Sequence, residues 1–166
     1  DETALKSAAL EAGRSLREIA QLLADAKATA IDAEQDAHVL GSDQVLAFEG
    51  RGYDKPATID DARARLAMLQ GRSHTLINAI SIARAGSVVY RHLDEPALHM
   101  RAMTAAEIDA YLEAAGDDIL SSVGAYQVEA LGSRLFERIE GDYFAVLGLA
   151  LHPVLGYLRR EKVLAF

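Results

Sequence analysis

Two apolar runs around a tight-turn dipeptide constrain the fold more than any other feature of this sequence. The runs extend from Thr75 to Ala83 and from Ser87 to Leu93, with Ala85-Gly86 between them. Apolar, β-branched runs on either side of a short glycine-containing turn are typical of a β-hairpin. The sequence therefore predicts two antiparallel strands here, and His99 to Met103 is predicted as a third strand of the same sheet.

Helical patterns alternate with these strands. Apolar residues recur at helical spacing, and the segments begin at capping residues and end near glycine. Helices are predicted over Ser15 to Lys27, Ile59 to Leu69, Thr104 to Ala115 and Pro153 to Glu161. Helices interleaved with strands indicate an α/β fold, a mixed β-sheet flanked by helices. At 166 residues the chain is expected to form a single domain over 1–166.

Asp43 is the first candidate functional residue. It follows a short apolar run, Ala37 to Gly41, and precedes a second extended piece, Gln44 to Phe48, so Ser42-Asp43 is predicted to form a turn. A carboxylate after a strand lies where α/β domains tend to bind ligands, and it could bind a metal or activate water. Gly41 would let a backbone or a substrate approach closely. An aspartate that merely caps a turn has the same pattern, and that alternative stays open.

Two further polar stretches draw notice. Lys55 lies between Asp54 and Pro56, and the proline biases its backbone to an extended form, so Lys55 could present a charge to phosphate oxygens. The stretch from Gly124 to Phe144 is dense in carboxylates separated by apolar residues. The residues around Lys55 could form an ordinary loop. The stretch from Gly124 to Phe144 could be either a solvated strand edge or the lining of a pocket.

Composition excludes several classes of function. The formal net charge of −8 argues against broad nucleic-acid binding, which requires a basic face. The sequence holds no cysteine, which excludes disulfides and thiol chemistry. The apolar run from Ala145 to Leu151 is too short to cross a membrane. A cytoplasmic protein with neither a nucleic-acid nor a membrane partner is the expectation.

An ordered set of short motifs spans the chain. They are Ala26-Lys27-Ala28, Gly41-Ser42-Asp43-Gln44-Val45, Lys55-Pro56, Gly71-Arg72-Ser73-His74, Gly124-Ala125-Tyr126, Phe136-Glu137-Arg138-Ile139-Glu140-Gly141-Asp142-Tyr143-Phe144 and Val146-Leu147-Gly148-Leu149. Together with Asp1-Glu2 they closely resemble the Maf family of nucleotide pyrophosphatases. The family's usual opening, a strand with a Ser-x-Ser-x-x-Arg phosphate loop, is expected to be absent from this chain.

The resemblance implies a chemistry and a set of roles. It implies a fold related to inosine triphosphate pyrophosphatases, a homodimer, and Mg²⁺- or Mn²⁺-dependent hydrolysis between the α- and β-phosphates. Asp43 matches the family's general base and metal ligand, and Glu2 matches its acidic metal ligand. Lys27 and Lys55 match its two lysines. Lysines and a metal would neutralise the triphosphate and the leaving pyrophosphate.

Gln44 and Glu129 fall on the positions associated with choice of base in this family. Gln and Glu there resemble the branch that acts on 7-methylguanosine triphosphate, and N7-methylation places on the purine a positive charge that a carboxylate can meet. One alternative is the branch that hydrolyses dTTP and UTP. Another is a nucleotide-binding or septum-formation regulatory protein without catalysis.

Overall fold

The computed structural model describes residues 2–166. The helices are α1 (Glu2–Glu11), α2 (Leu16–Thr29), α3 (Ile59–Leu69), α4 (Ala105–Ala115), α5 (Tyr143–Val146) and α6 (Leu151–Arg160). The strands are β1 (His38–Phe48), β2 (Arg51–Tyr53), β3 (Ser73–Arg84), β4 (Ser87–Asp94), β5 (Ala97–Met100) and β6 (Phe136–Glu140). Short 3₁₀ helices span Gly116–Ser121 and Leu131–Leu135.

The strands form one six-stranded sheet in the order β2-β1-β3-β5-β6, with β4 paired to β3. Helices flank the sheet, which confirms the α/β class. A mixed sheet was expected, but the pairings β1–β2, β3–β4, β3–β5 and β5–β6 are all antiparallel. Short connections such as the turn between β3 and β4 favour this arrangement, because parallel neighbours need long crossovers.

The predicted hairpin is confirmed. β3 and β4 pair up to Arg84 and Ser87, and the two residues between them have positive φ angles, 48° at Ala85 and 72° at Gly86. Two successive positive φ values match the right-handed twist of the flanking strands. The third predicted strand is found as β5, which begins two residues before His99 and pairs with both β3 and β6.

The predicted helices are also present. α2, α3 and α4 each begin with a capping box, in which the capping side chain and the carboxylate three residues later bond each other's backbone amides. α1 was not predicted. Within residues 2–166, no helix has both the length and the apolar character needed to cross a membrane.

The predicted turn at Ser42-Asp43 is wrong, because β1 runs without a break through both residues. Gly41 serves a different purpose. A Cβ atom at Gly41 would lie 2.2 Å from the carbonyl oxygen of Ala24 and 2.5 Å from the amide nitrogen of Ala28. The glycine therefore lets β1 lie directly against the backbone of α2, and the chain continues as a strand.

The chain divides into two compact units. Unit 1 contains the residues up to Gln44, Ile77–Glu95 and Asp142–Phe166, and unit 2 contains Val45–Leu76 and Pro96–Gly141. Strands β1 and β3 pass through both units. Unit 1 has apolar clusters at Ala9, Ile19 and Leu23, and at Ile80, Ala145, Ala150 and Val154. Unit 2 buries Leu66, Leu69, Leu98, Ile119 and Leu135. A single domain over residues 1–166 stays a prediction.

Candidate active site

Three of the predicted site residues meet in unit 1. Lys27 lies in the last turn of α2, Asp43 lies on β1, and Glu2 begins α1. The Nζ atom of Lys27 is 2.6 Å from Oδ1 of Asp43 and 3.5 Å from Oε2 of Glu2. The Asp43 side chain is only 8% exposed, whereas Lys27 and Glu2 are accessible. One ammonium group therefore joins a buried and an exposed carboxylate.

Burial sets the protonation behaviour of this cluster. It raises the pKa of Asp43 above the ordinary aspartate value, and the hydrogen bond and charge of Lys27 only partly oppose it. For Lys27, burial alone would lower the pKa, but the hydrogen bond and charge of Asp43, with those of Glu2, raise it overall. A carboxylate whose pKa is shifted towards neutrality has the property expected of a general base.

The donor chemistry of the cluster fits a hard divalent cation. Glu2 and Asp43 offer carboxylate oxygens, which Mg²⁺ and Mn²⁺ prefer. In the described part of the chain, no three histidine or carboxylate side chains lie close enough to hold a metal by themselves. Mg²⁺ commonly binds one or two protein carboxylates together with substrate phosphates and water. Glu2 and Asp43 are therefore the residues of this cluster that could hold a metal.

Gln44, the residue after Asp43, contacts helix α5. Its Nε2 atom donates to the carbonyl oxygens of Ala145, at 2.8 Å, and Val146, at 3.3 Å. These carbonyls lie at the C-terminal end of a short helix, where backbone acceptors lack partners within the helix. The amide nitrogen of Gln44 thus holds α5 in unit 1, and its role in choosing a base stays a prediction.

A buried polar network beside Asp43 was not predicted. Asn78, on β3, is fully buried; its Nδ2 donates to the carbonyl of Gly148 at 2.8 Å and its Oδ1 accepts from the amide of Ala150 at 3.1 Å. Ser42 donates to the same Gly148 carbonyl at 2.6 Å. The two side chains fix the segment between α5 and α6. A lone asparagine within an apolar strand was the sequence signal for this network.

Lys55 lies in unit 2, at the edge of a cavity of about 430 Å³. Its side chain is exposed, and Tyr53, Asp61 and Arg65 also line the cavity. Arg65 was missed by the sequence reasoning. The sequence clue to Arg65 was its position on α3, three residues after Ala62 and next to the apolar stripe of the helix.

Glu129 is also in unit 2, and it is exposed just after a buried turn that contains Tyr126. The hydroxyl of Tyr126 lies 2.6 Å from Nε2 of His74. Burial lowers the pKa of His74 to about 4, so its ring is neutral, and Nε2 shares a hydrogen bond with the tyrosine hydroxyl. Burial also raises the pKa of Tyr126, which keeps the hydroxyl protonated. This pair anchors the turn that leads to Glu129.

Comparison with known proteins places these features in one family. A protein from Hyphomonas neptunium named nucleoside triphosphate pyrophosphatase is 48% identical over 149 residues, which is 90% of this chain and 75% of that protein. One of the same name from Granulibacter bethesdensis is 42% identical, over 99% of this chain and 84% of its own length. A 7-methyl-GTP pyrophosphatase from Brucella abortus is 42% identical, over 98% and 82%. The family model described as Maf-like protein matches residues 1–161, and this chain therefore belongs to the Maf family.

Proposed function

We propose that this chain hydrolyses 7-methylguanosine triphosphate to the monophosphate and pyrophosphate. The general activity, nucleoside triphosphate pyrophosphatase, rests on membership of the Maf family and on relatives of that name at 42–48% identity. The narrower substrate rests on Gln44 and Glu129, and on relatives named 7-methyl-GTP pyrophosphatase at 42% identity. The observation that carries the proposal is the contact of Lys27 with both Asp43 and Glu2.

Asp43 is proposed as the general base. Water attacks the phosphoanhydride and its proton passes to the Asp43 carboxylate, the bond between the α-phosphate and the β-phosphate breaks, and pyrophosphate leaves. Burial supports this role because it raises the pKa of Asp43 and so increases the affinity of its carboxylate for a proton. Lys27 and Lys55 would neutralise phosphate charge as it develops on the leaving group.

A divalent metal, Mg²⁺ or Mn²⁺, would supply charge neutralisation and orientation of the phosphates. Glu2 and Asp43 would hold it together with substrate oxygens. In this proposal Lys27 keeps its contact with Asp43 and reduces the repulsion between the two carboxylates. A homodimer in the cytoplasm completes the proposal; the homodimer rests on the family resemblance, and the cytoplasmic location rests on the composition of the sequence.

Glu129 is proposed to select the base. The N7-methylated guanine ring is cationic, so an exposed carboxylate beside it gains an attraction that unmethylated guanine lacks. The carboxylate can also accept hydrogen bonds from the N–H groups on the guanine edge. Uracil and thymine carry no such positive charge. The proposal therefore predicts discrimination against both GTP and the pyrimidine triphosphates.

Pyrophosphate release across a panel of nucleotides tests the proposal. The panel contains 7-methylguanosine triphosphate, GTP, UTP and dTTP, each with Mg²⁺ or Mn²⁺ and with the metal removed. We expect the methylated purine to be the best substrate, and Asp43→Asn to lower its turnover by about 10²–10⁴. Asp32→Asn, the same change at an exposed position of unit 1, serves as the control and should match the unmodified protein.

The outcomes separate the alternatives. Faster turnover of UTP or dTTP would overturn the substrate while keeping the enzyme class. Nucleotide binding without pyrophosphate release in either metal would favour a regulatory protein. Full activity in Asp43→Asn would show that another group is the base.

A further inference from the structure

Arg65 contacts two separate loops of unit 2 from one position on α3. Its Nη1 atom donates to the carbonyl oxygen of Asp54, at 3.0 Å, and also to the carbonyl oxygen of Val123. The two protons on this nitrogen are sufficient for both bonds. Asp54 immediately precedes Lys55, and Val123 begins the turn that leads to Glu129. A single guanidinium therefore joins the backbone of both loops.

The guanidinium is held firmly in place. Its Cζ atom lies 4.8 Å from the centre of the Tyr53 ring, a distance typical of a cation–π contact. Tyr53 is the last residue of β2, so the stacking ties Arg65 to the start of the Lys55 loop. The side chain is half-buried, and burial lowers its pKa, but arginine stays charged at any physiological pH.

The loop after Val123 has further anchors next to this contact. The hydroxyl of Tyr111 donates to the carbonyl of Ala125 at 3.4 Å, and Tyr126 is bonded to His74. Gly124 allows the loop to fold on itself, because a Cβ atom there would lie 2.1 Å from the ring of Tyr126. The loop is thus a folded element whose first residue is fixed by Arg65.

We propose that Arg65 is a positioning residue that couples the lysine loop, Tyr53–Pro56, to the selectivity loop, Val123–Glu129. This inference rests on the proposed function, in which Lys55 meets the phosphates and Glu129 meets the base. By holding one backbone carbonyl from each loop, Arg65 fixes the spacing between the two groups within unit 2. The substrate is then recognised along its length, and a correctly sized nucleotide engages both loops together.

Arg63 provides a matched comparison on the same helix. It lies two residues earlier and is exposed, and its guanidinium bonds the side chains of Asp60 and Asp109. These are surface ion pairs, which typically contribute little to stability. Replacing Arg63 removes the same charge and the same number of donors without touching either loop.

Hydrogen exchange of the backbone amides tests the coupling without reference to activity. In Arg65→Met, which keeps an unbranched apolar side chain, we expect exchange in both the lysine loop and the selectivity loop to speed up about tenfold, because their anchoring bonds are lost. Arg63→Met should leave both loops unchanged. Unchanged exchange in Arg65→Met, or faster exchange in only one loop, would overturn the coupling.

Selectivity gives the second readout. In Arg65→Met we expect KM for 7-methylguanosine triphosphate to rise about tenfold with a smaller change in kcat, and the preference over GTP to fall. In a double-mutant cycle, adding Arg65→Met to Glu129→Gln should reduce the preference for 7-methylguanosine triphosphate over GTP only slightly further, because both changes act through the same loop. Additive losses of preference would contradict the proposal.

Arg65→Lys, a more conservative variant, allows the same test if Arg65→Met does not fold. Arg65→Lys retains the charge and a long stem but replaces the planar donor group by a point charge. We expect it to restore part of the protection in one loop but not in both. Failure of the unmodified protein to hydrolyse 7-methylguanosine triphosphate would overturn the proposed function. The hydrogen-exchange results would still decide whether Arg65 couples the two loops.

Discussion

The ammonium nitrogen of Lys27 lies 2.6 Å from the buried carboxylate of Asp43. Even with this partner, burial keeps the pKa of Asp43 above its ordinary value. Ionisation of Asp43 in the folded protein therefore costs stability, as is common at functional sites. The contact joins the last turn of α2 to β1, and both sides of it belong to unit 1.

Asp43→Asn should raise stability at neutral pH while lowering turnover by about 10²–10⁴. A raised folded-state pKa means that the folded protein binds the proton more tightly than the unfolded chain does. The cost of ionising Asp43 to the free energy of unfolding is therefore absent below the unfolded pKa of about 3.9. It develops as pH rises from that value through the folded pKa. We expect a Tm a few degrees higher at pH 7 and little difference near pH 3.5, with Asp32→Asn unchanged at both. A less stable Asp43→Asn at pH 7 would show that the bond to Lys27 outweighs burial.

The contact depends on how closely β1 approaches α2, and two glycines test this. Gly41→Ala places a Cβ atom 2.2 Å from the carbonyl oxygen of Ala24, so strand and helix must separate. We expect a loss of about 1–3 kcal/mol in the free energy of unfolding, together with lower activity. Gly156→Ala, inside α6, meets nothing closer than 3.7 Å and should stabilise by about 0.5–1 kcal/mol. Urea denaturation measures the free energy of unfolding of both variants. If the two variants change it equally, the close approach of β1 to α2 is not the cause of the loss in Gly41→Ala.

Local patterns predicted the regular elements well. The capping residues Ser15, Thr58 and Thr104 predicted three helix starts, and Ala85-Gly86 predicted the hairpin, because these signals act within a few residues. The turn at Ser42-Asp43 was wrong for a tertiary reason: Gly41 serves the packing of α2 on β1, which no local pattern contains.

The candidate site was predictable only in part. Family resemblance pointed to Glu2, Lys27 and Asp43, which the structure brings together. Asn78 and Arg65 were missed, since they bond the backbone carbonyls of Gly148 and Val123, which are far away in sequence. Backbone acceptors carry no residue signature, so partners of this kind cannot be read from side-chain identity.

Glu129→Gln should narrow the preference between methylated and unmethylated guanine nucleotides. The carboxylate would attract the cationic ring, and the neutral amide would not, so kcat/KM for 7-methylguanosine triphosphate should fall about tenfold while that for GTP changes little. Glu113→Gln removes the same charge from an exposed position on α4 and should leave the ratio unchanged. Equal losses for both nucleotides would assign Glu129 a role other than base selection.

His74 should make stability depend on pH in a defined window. Its folded pKa of about 4 lies below the unfolded value of about 6.5, so the unfolded chain binds the proton more readily. Its contribution is fully present above pH 6.5 and is lost as pH falls towards 4, by on the order of 3 kcal/mol.

Urea denaturation of His74→Gln between pH 7 and pH 4 measures this contribution. Glutamine does not titrate, so this variant should lose much less stability than the unmodified protein as the pH falls over that range, whatever its stability at pH 7. His152→Gln, at an exposed histidine, should keep the original slope. If His74→Gln also keeps the original slope, His74 is not the group whose titration causes the loss of stability. The neutral form assigned to His74 in its hydrogen bond with Tyr126 would then be wrong.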